Sequence, residues 1–439
     1  GVGAPATEVR STPFTMAGET WHVVAADLPA PLGKTGLMRL YLPAHGRPIA
    51  IDWIELVSGD SIRRWDFGGE AAGEGIPSVG EEKGLTTPPP ATNITSSWQR
   101  EATPLLSGFV NMYNPCVVET GGEWRYRMWF FGWAARHANE GMGWGCDAVF
   151  HARSRDLKGW EVWCGEGRWD ATMTPERWRP VLHASERWYD SWHNGDPSVV
   201  LEGGRFYMAY SATSKPFAKT AGYPSDMVQC IMGATSSDGI RWEKTSQPLL
   251  IRKEDCAAPR PEPDRIGDFH RPCLRREAGA WKLWFDYWVP GKGVCLGLAV
   301  NRGDFTGGGG FVLQHDPAEP LLANWPNPEM VRIGGRWHSF ADPVGYTVPP
   351  GTRPDAAPWL GRQLREAVSD DGIHWRLMDF IPPDDDAPAC HVPQALVTRV
   401  DGRDWLYLFY ATQKGYRPDG GRYHYEYDRI RAMRREVAP

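Results

Sequence analysis

The sequence predicts an all-β fold: a five-bladed β-propeller carrying a small N-terminal β appendage. Three observations lead there. A proline-led hairpin recurs five times, a Ser-Asp turn followed by tryptophan comes after three of those hairpins, and the composition suits many short strands. Of 439 residues, 49 are glycine and 38 proline, enough to punctuate many turns, and 41% are hydrophobic, enough for a sizeable core.

The hairpins come in order. Blade one reads Asn114-Pro115-Cys116-Val117-Val118, a Gly121-Gly122 turn, then an aromatic strand over 124–131. Blade two reads Asp196-Pro197-Ser198-Val199-Val200, Gly203-Gly204, then 206–210. Blade three passes from Arg271-Pro272-Cys273-Leu274 through Gly279 to 281–285. Blade four passes from Asn327-Pro328-Glu329-Met330-Val331 through Gly334-Gly335 to Trp337. Blade five runs from Val392-Pro393-Gln394-Ala395-Leu396 through Gly402 to 405–410. In the first four the proline precedes the aromatic by nine residues, and the fifth has a longer turn. Alternating apolar residues around a glycine turn specify a β-hairpin, and proline at the first residue of a strand forfeits no ladder bond.

Each hairpin needs two more strands to make a blade. Ser154-Arg155-Asp156 leads to Trp160, Ser236-Ser237-Asp238-Gly239 to Trp242, and Ser369-Asp370-Asp371-Gly372 to Trp375. These read as structural turns between strands three and four, and blade three substitutes Asn301-Arg302-Gly303-Asp304-Phe305. Four strands in each of five units close their edges radially. The segment 427–435 reads as the third strand of blade five, so its fourth is expected from residues near 96–108. Residues 1–68 fall outside the repeat; 21–24, 38–42 and 49–56 read as strands of a partial, sandwich-like appendage. Residues 69–95, rich in Gly, Glu, Pro and Thr, read as a linker, and 96–439 as the propeller.

Composition excludes several function classes. A net charge of −6 argues against a nucleic-acid partner, and no run of about 18 apolar residues implies a membrane span. Eight cysteines form no CxxC pair, which argues against a zinc ribbon, and Cys116 and Cys273 fall in strands expected to be buried. The 23 tryptophans suit both a β core and the stacking of sugars.

Propeller blades point their first strands at the central axis, so the flanks of the five prolines are the site candidates. Asn114, Asp196, Arg271, Asn327 and Val392 precede the prolines; Tyr113, His270 and His391 stand one position earlier; Cys116, Ser198, Cys273, Glu329 and Gln394 follow them. Two carboxylates, two histidines and an arginine in one ring suit glycosidic cleavage, which takes one group to protonate the leaving oxygen and one carboxylate to activate water or attack carbon. The expected catalytic set is Asp196 with His270 or Glu329, histidine being able to donate a proton near neutral pH. Glu329 has the alternative of an ion pair with Arg332 or Arg271, and Glu262, Asp264 and Asp268 are alternative bases. Asp190 is a further funnel candidate, whereas Asp286 and Asp342, following aromatic strands, read as structural. Asn114, Tyr113, His193, Arg271 and Asn327 are expected to hold substrate. Trp188, Trp192, Trp288 and Trp325, near blade entrances, are expected as sugar platforms.

These blades, with Asp196 before proline and the Ser-Asp-Gly…Trp turns, resemble the five-bladed furanosidase superfamily, which includes glycoside hydrolase families 43, 32, 62 and 117. The Asn114-Pro115 and Asp196-Pro197 blade starts also resemble family 130. The resemblance implies a glycoside hydrolase acting on a terminal sugar, with a family 130-type sugar phosphorylase or a non-catalytic glycan-binding propeller as alternatives. In family 43 an Asp opens blades one and two and a Glu opens blade three; only Asp196 matches, since Asn114 and His270-Arg271 occupy the other places. Family 117 uses a histidine acid in the corresponding region, which His270 would supply. His391 resembles the histidine beside a central calcium in some family 43 enzymes, so a structural calcium is expected there and no cofactor is required for catalysis. The implied partner is carbohydrate and the implied location secreted or periplasmic.

Overall fold

A computed structural model of the protein describes residues 53–58, 61–66, 98–108, 112–133, 147–215, 228–252, 267–307, 310–343, 363–381, 390–412 and 429–437. The chain divides into two compact units, Gly1–Ser78 with Arg417–His424, and Val79–Tyr416 with Tyr425–Pro439. In the first unit Trp53–Ser58 pairs with Ser61–Asp66 as an antiparallel hairpin, Ser58 opposite Ser61. The strand Trp53–Ser58 overlaps the one expected at 49–56. The strands expected at 21–24 and 38–42, and the linker at 69–95, lie outside the described residues.

The second unit is a five-bladed β-propeller. Blade one orders Tyr113–Glu119, Tyr126–Trp133, Asp147–Ser154 and Trp160–Trp163, with Trp169–Asp170 added outside. Blade two orders Asn194–Glu202, Arg205–Thr213, Gln229–Ser236 and Glu243–Lys244. Blade three orders Gly267–Glu277, Ala280–Val289, Gly293–Asn301 and Val312–Leu313. Blade four orders Glu329–Ile333, Arg336–Ala341, Arg365–Ser369 and Arg376–Phe380. Blade five orders Cys390–Val400, Arg403–Thr412 and Arg429–Glu436, and its fourth strand is Gln99–Arg100, with Gln99 opposite Arg434 and Arg100 opposite Met433. The expected segment near 96–108 thus closes the ring.

Packing explains the aromatic strands. The buried side chains form five clusters, one at each junction between neighbouring blades. Successive residues of a strand point to opposite faces, and both faces of a blade are covered. In blade one, Met128 and Phe130 therefore pack toward blade five while Trp129 packs toward blade two. Apolar residues run without polar alternation because neither face meets water. Much of the tryptophan content is consumed here.

The Ser-Asp turns are structural, as expected. Ser236 Oγ accepts the Gly239 N–H (2.8 Å) and Asp238 Oδ1 accepts those of Ile240 and Arg241 (2.8 Å each). Two of the turns also meet the preceding blade: Trp129 Nε1 donates to Gly239 O (2.9 Å) and Trp284 Nε1 to Gly372 O (3.2 Å). Cys116 and Cys273 are buried free thiols. Among the described residues no helix is long and apolar enough to cross a membrane.

Candidate active site

The five prolines create the site by bending the innermost strands. The residue before each proline takes a left-handed backbone: φ is 49° at Asn114, 50° at Asp196, 43° at Arg271, 53° at Asn327 and 50° at Val392. Pairing with the second strand is interrupted at the same place in blades one, two, three and five. This is a bulge, since proline donates no ladder bond and the extra residue is thrown out of the pleat. Such conformations cost roughly 1–3 kcal/mol each, and Val392, being β-branched, is the least suited of the five. The strain repeats in every blade, and Pro115, Pro197, Pro272, Pro328 and Pro393 line a narrow axial channel together with Asn114, Arg271 and Asn327.

Two tiers of hydrogen bonds surround that channel. In the first, the residue after each proline accepts a backbone N–H from the next blade. Val199 donates to Cys116 Sγ (3.2 Å), Leu274 to Ser198 Oγ (2.8 Å), Met330 to Cys273 Sγ (3.3 Å), Ala395 to Glu329 Oε1 (3.2 Å) and Val117 to Gln394 Oε1 (3.1 Å). This tier closes on itself. The second is incomplete: the Arg271 N–H donates to Ser211 Oγ (2.8 Å), that of Asn327 to Asp286 Oδ2 (2.8 Å) and that of Val392 to Asp342 Oδ2 (3.3 Å). Blades one and five carry Phe131 and Ala411 at the corresponding register, where neither side chain has an acceptor.

Asp196 sits at the blade-one junction, where the second tier is open. A β-carbon at Gly195 would lie 2.6 Å from the Phe131 ring, so glycine alone lets blade two approach this closely and presents the next residue to the funnel. Asp196 is 3% exposed, with His270 Nε2 at 3.5 Å from Oδ2. Burial pushes its carboxyl up to about 6, against the pull of Arg271 and Ser211, while Asp286 and Asp147 add to the rise. Burial and the Arg271 charge hold His270 well below its ordinary value, so it is a neutral imidazole at neutral pH. Arg271 Nη1 meets Asp286 Oδ2 at 3.2 Å. Asp196 Oδ1, Asp147 Oδ1, Asn327 Oδ1 and His270 Nδ1 are all buried without a hydrogen-bond partner among the described residues. Native interiors satisfy nearly all buried polar atoms, so these four call for a hydrogen-bonding partner, water included.

The other expected residues divide. Asn327 is buried and donates through Nδ2 to Asp342, and Asn114 and Tyr113 stand partly exposed near the axis, the Tyr113 ring 6.2 Å from that of His391. His193 contacts Asp147 through Nδ1, and Trp192 stands edge-on to the His193 ring at 5.9 Å. Trp188 is half-buried against Tyr189. Trp325 is not a platform: it is 1% exposed, packed between blades three and four, with Nε1 donating to Ser339 Oγ (2.9 Å). Trp288 is 38% exposed and shares a strand face with Asp286, two residues back. Glu329 is an element of the first tier and pairs with Arg275, rather than with Arg332 or Arg271. Asp190 is buried against Lys244 Nζ (2.8 Å) and Ser185, a structural tether. Asp268 is half-buried, and Glu262 and Asp264 lie outside the described residues.

Asp286 and Asp342, expected to be structural, do brace the second tier, yet they also shape the charge around Asp196 and Asn327. Their signal was a spacing: each follows its blade's proline by 14 residues, as does Ser211. His391 Nε2 faces Asp342 Oδ2 at 2.7 Å, and no cluster of three metal-ligating side chains occurs among the described residues.

Solved structures share this architecture. Zg3597, a family 117 glycoside hydrolase from Zobellia galactanivorans, aligns with a TM-score of 0.50 at 11% identity, covering 78% of this chain and 91% of that one. A second glycoside hydrolase aligns at 0.51 and 13% identity, over 78% and 92%. A thermostable family-43 glycoside hydrolase aligns at 0.46 and 13%, over 76% and 95%. What these structures share with the chain is the five-bladed β-propeller fold. No family model matches the chain, and no curated protein matches it.

Proposed function

We propose that the protein is a glycoside hydrolase that removes a terminal sugar from a glycan or oligosaccharide held in the propeller funnel. The observation that carries this reading is Asp196: a buried carboxyl raised to about 6, with one oxygen unpartnered, placed by a strained bulge where the hydrogen-bond tier is open. A carboxyl that keeps its proton up to about pH 6 is suited to protonating a glycosidic oxygen. His270 lies beside it, Nε2 at 3.5 Å from Oδ2, and Glu329, held by Arg275 and Ala395, serves the scaffold. Trp288 and Trp192 offer ring faces and edges to a sugar, and Asn327 and Asn114 offer amides. A secreted or periplasmic location accords with such a substrate.

The test is hydrolysis of a panel of aryl glycosides and oligosaccharides, with and without phosphate, by wild type and Asp196→Asn. Oligosaccharide turnover in wild type that falls by at least about 100-fold in the variant supports the reading. Turnover only with phosphate assigns a phosphorylase, and tight sugar binding without turnover assigns a binding propeller; either result replaces the hydrolase.

A further inference from the structure

Cleavage of a glycosidic bond takes two groups, and the start of blade one offers Asn114 rather than a carboxylate. Resting on the hydrolase reading above, we propose that Asp147, from the third strand of blade one, is the second catalytic carboxylate, that it takes the proton of the attacking water, and that His193 positions it.

Geometry carries the argument. Asp147 opens the strand Asp147–Ser154, which packs against Asn194–Glu202, the strand bearing Asp196. Its side chain is 6% exposed. Oδ2 meets His193 Nδ1, while Oδ1 is buried with no hydrogen-bond partner among the described residues. Oδ1 is thus left able to accept a proton. His193 is itself fixed through its backbone, its N–H donating to Thr213 Oγ1 (3.1 Å) and its carbonyl accepting the Thr213 N–H (3.0 Å). Two Asp–His pairs therefore meet across the blade-one junction, Asp147 with His193 and Asp196 with His270. The two pairs feel each other, since the Asp147 charge adds to the rise at Asp196 and the His193 charge to the depression at His270. Burial raises the Asp147 carboxyl above its ordinary value, and the His193 contact limits that rise.

The step balances. Water oxygen bonds to the anomeric carbon as Asp147 takes one of its protons. The bond from that carbon to the glycosidic oxygen breaks, the electron pair stays on oxygen, and Asp196 supplies the proton that oxygen needs. The sugar leaves with inverted configuration, and the proton on Asp147 returns through solvent to Asp196.

Leaving-group dependence separates the two roles. On a dinitrophenyl glycoside, whose leaving group needs no acid, Asp196→Asn should keep activity within about tenfold of wild type while losing its oligosaccharide activity. Asp147→Ala and Asp147→Asn should lose about 100-fold or more on both substrates. Azide should restore the alanine variant and give a glycosyl azide of inverted configuration. The isosteric asparagine variant covers the case in which alanine fails to fold. Asp147 variants within tenfold of wild type, or impaired on the oligosaccharide alone, overturn the proposal, as does a wild-type product of retained configuration. Wild type inert on every glycoside removes the hydrolase reading and this role with it, whereas active wild type with unimpaired Asp147 variants removes this role alone.

Discussion

Asp196 combines two properties that a single substitution separates. Its carboxyl is raised from an ordinary 3.8 to about 6, so the folded state binds this proton more tightly than the unfolded chain does. The stability this supplies is complete below about pH 4 and is lost as pH rises through 6, amounting to about 3 kcal/mol at most. Asp196→Asn removes the burden of an ionised buried carboxylate. Thermal unfolding should therefore show the inactive variant more stable than wild type at pH 8, with little difference at pH 4. The catalytic counterpart has the same sign: an acid must hold its proton, so wild-type kcat should decline as pH rises past about 6, with burial, Arg271, Ser211, Asp286 and Asp147 setting the midpoint. Trp288→Ala, at an exposed ring, should raise KM by roughly tenfold and leave kcat within about twofold, the loss of about 1.4 kcal/mol of stacking. Sequence spacing made Asp196 legible because it stands at a fixed place beside a repeated proline. Asp147 was not legible: the third strand of each blade follows a loop of different length, so no count from the proline reaches it. Trp325 misled because a blade entrance has an inner and an outer face, and its ring turns inward to Ser339.

Among elements, the closed tier around the channel joins each innermost strand to the next. Its five acceptors are two thiols, a hydroxyl, a carboxylate and a carboxamide, so the position demands an acceptor and not a particular residue. That tolerance hides it from sequence reading and explains why Glu329 resembled a catalytic group. Arg275→Ala should cost about 3–5 kcal/mol, because it leaves Glu329 buried and uncompensated. Ser198→Ala should cost about 1–3 kcal/mol by orphaning the Leu274 N–H. Both are read as shifts in urea unfolding midpoints, and both variants should retain sugar binding. The hairpins themselves were legible because every blade must turn back after the same strand length, which set proline and aromatic nine residues apart four times.

At the scale of the whole molecule, blade five borrows its outer strand from the other end of the propeller sequence. Trp98 beside that strand stands edge-on to Phe340 (6.4 Å), with the Arg435 guanidinium 4.7 Å above its ring. Deleting residues 98–108 should expose the edge of Arg429–Glu436, and an unpaired edge templates association; light scattering should show larger assemblies than the intact chain forms.

This closure also has a clock. Gln99 and Arg434 meet across 335 positions of chain. A ribosome adding roughly 5–20 residues per second needs on the order of 15–70 s to travel that distance. For that whole interval the early blades exist as an open arc with one unsealed flank, so the newborn protein depends on shielding that its finished form does without.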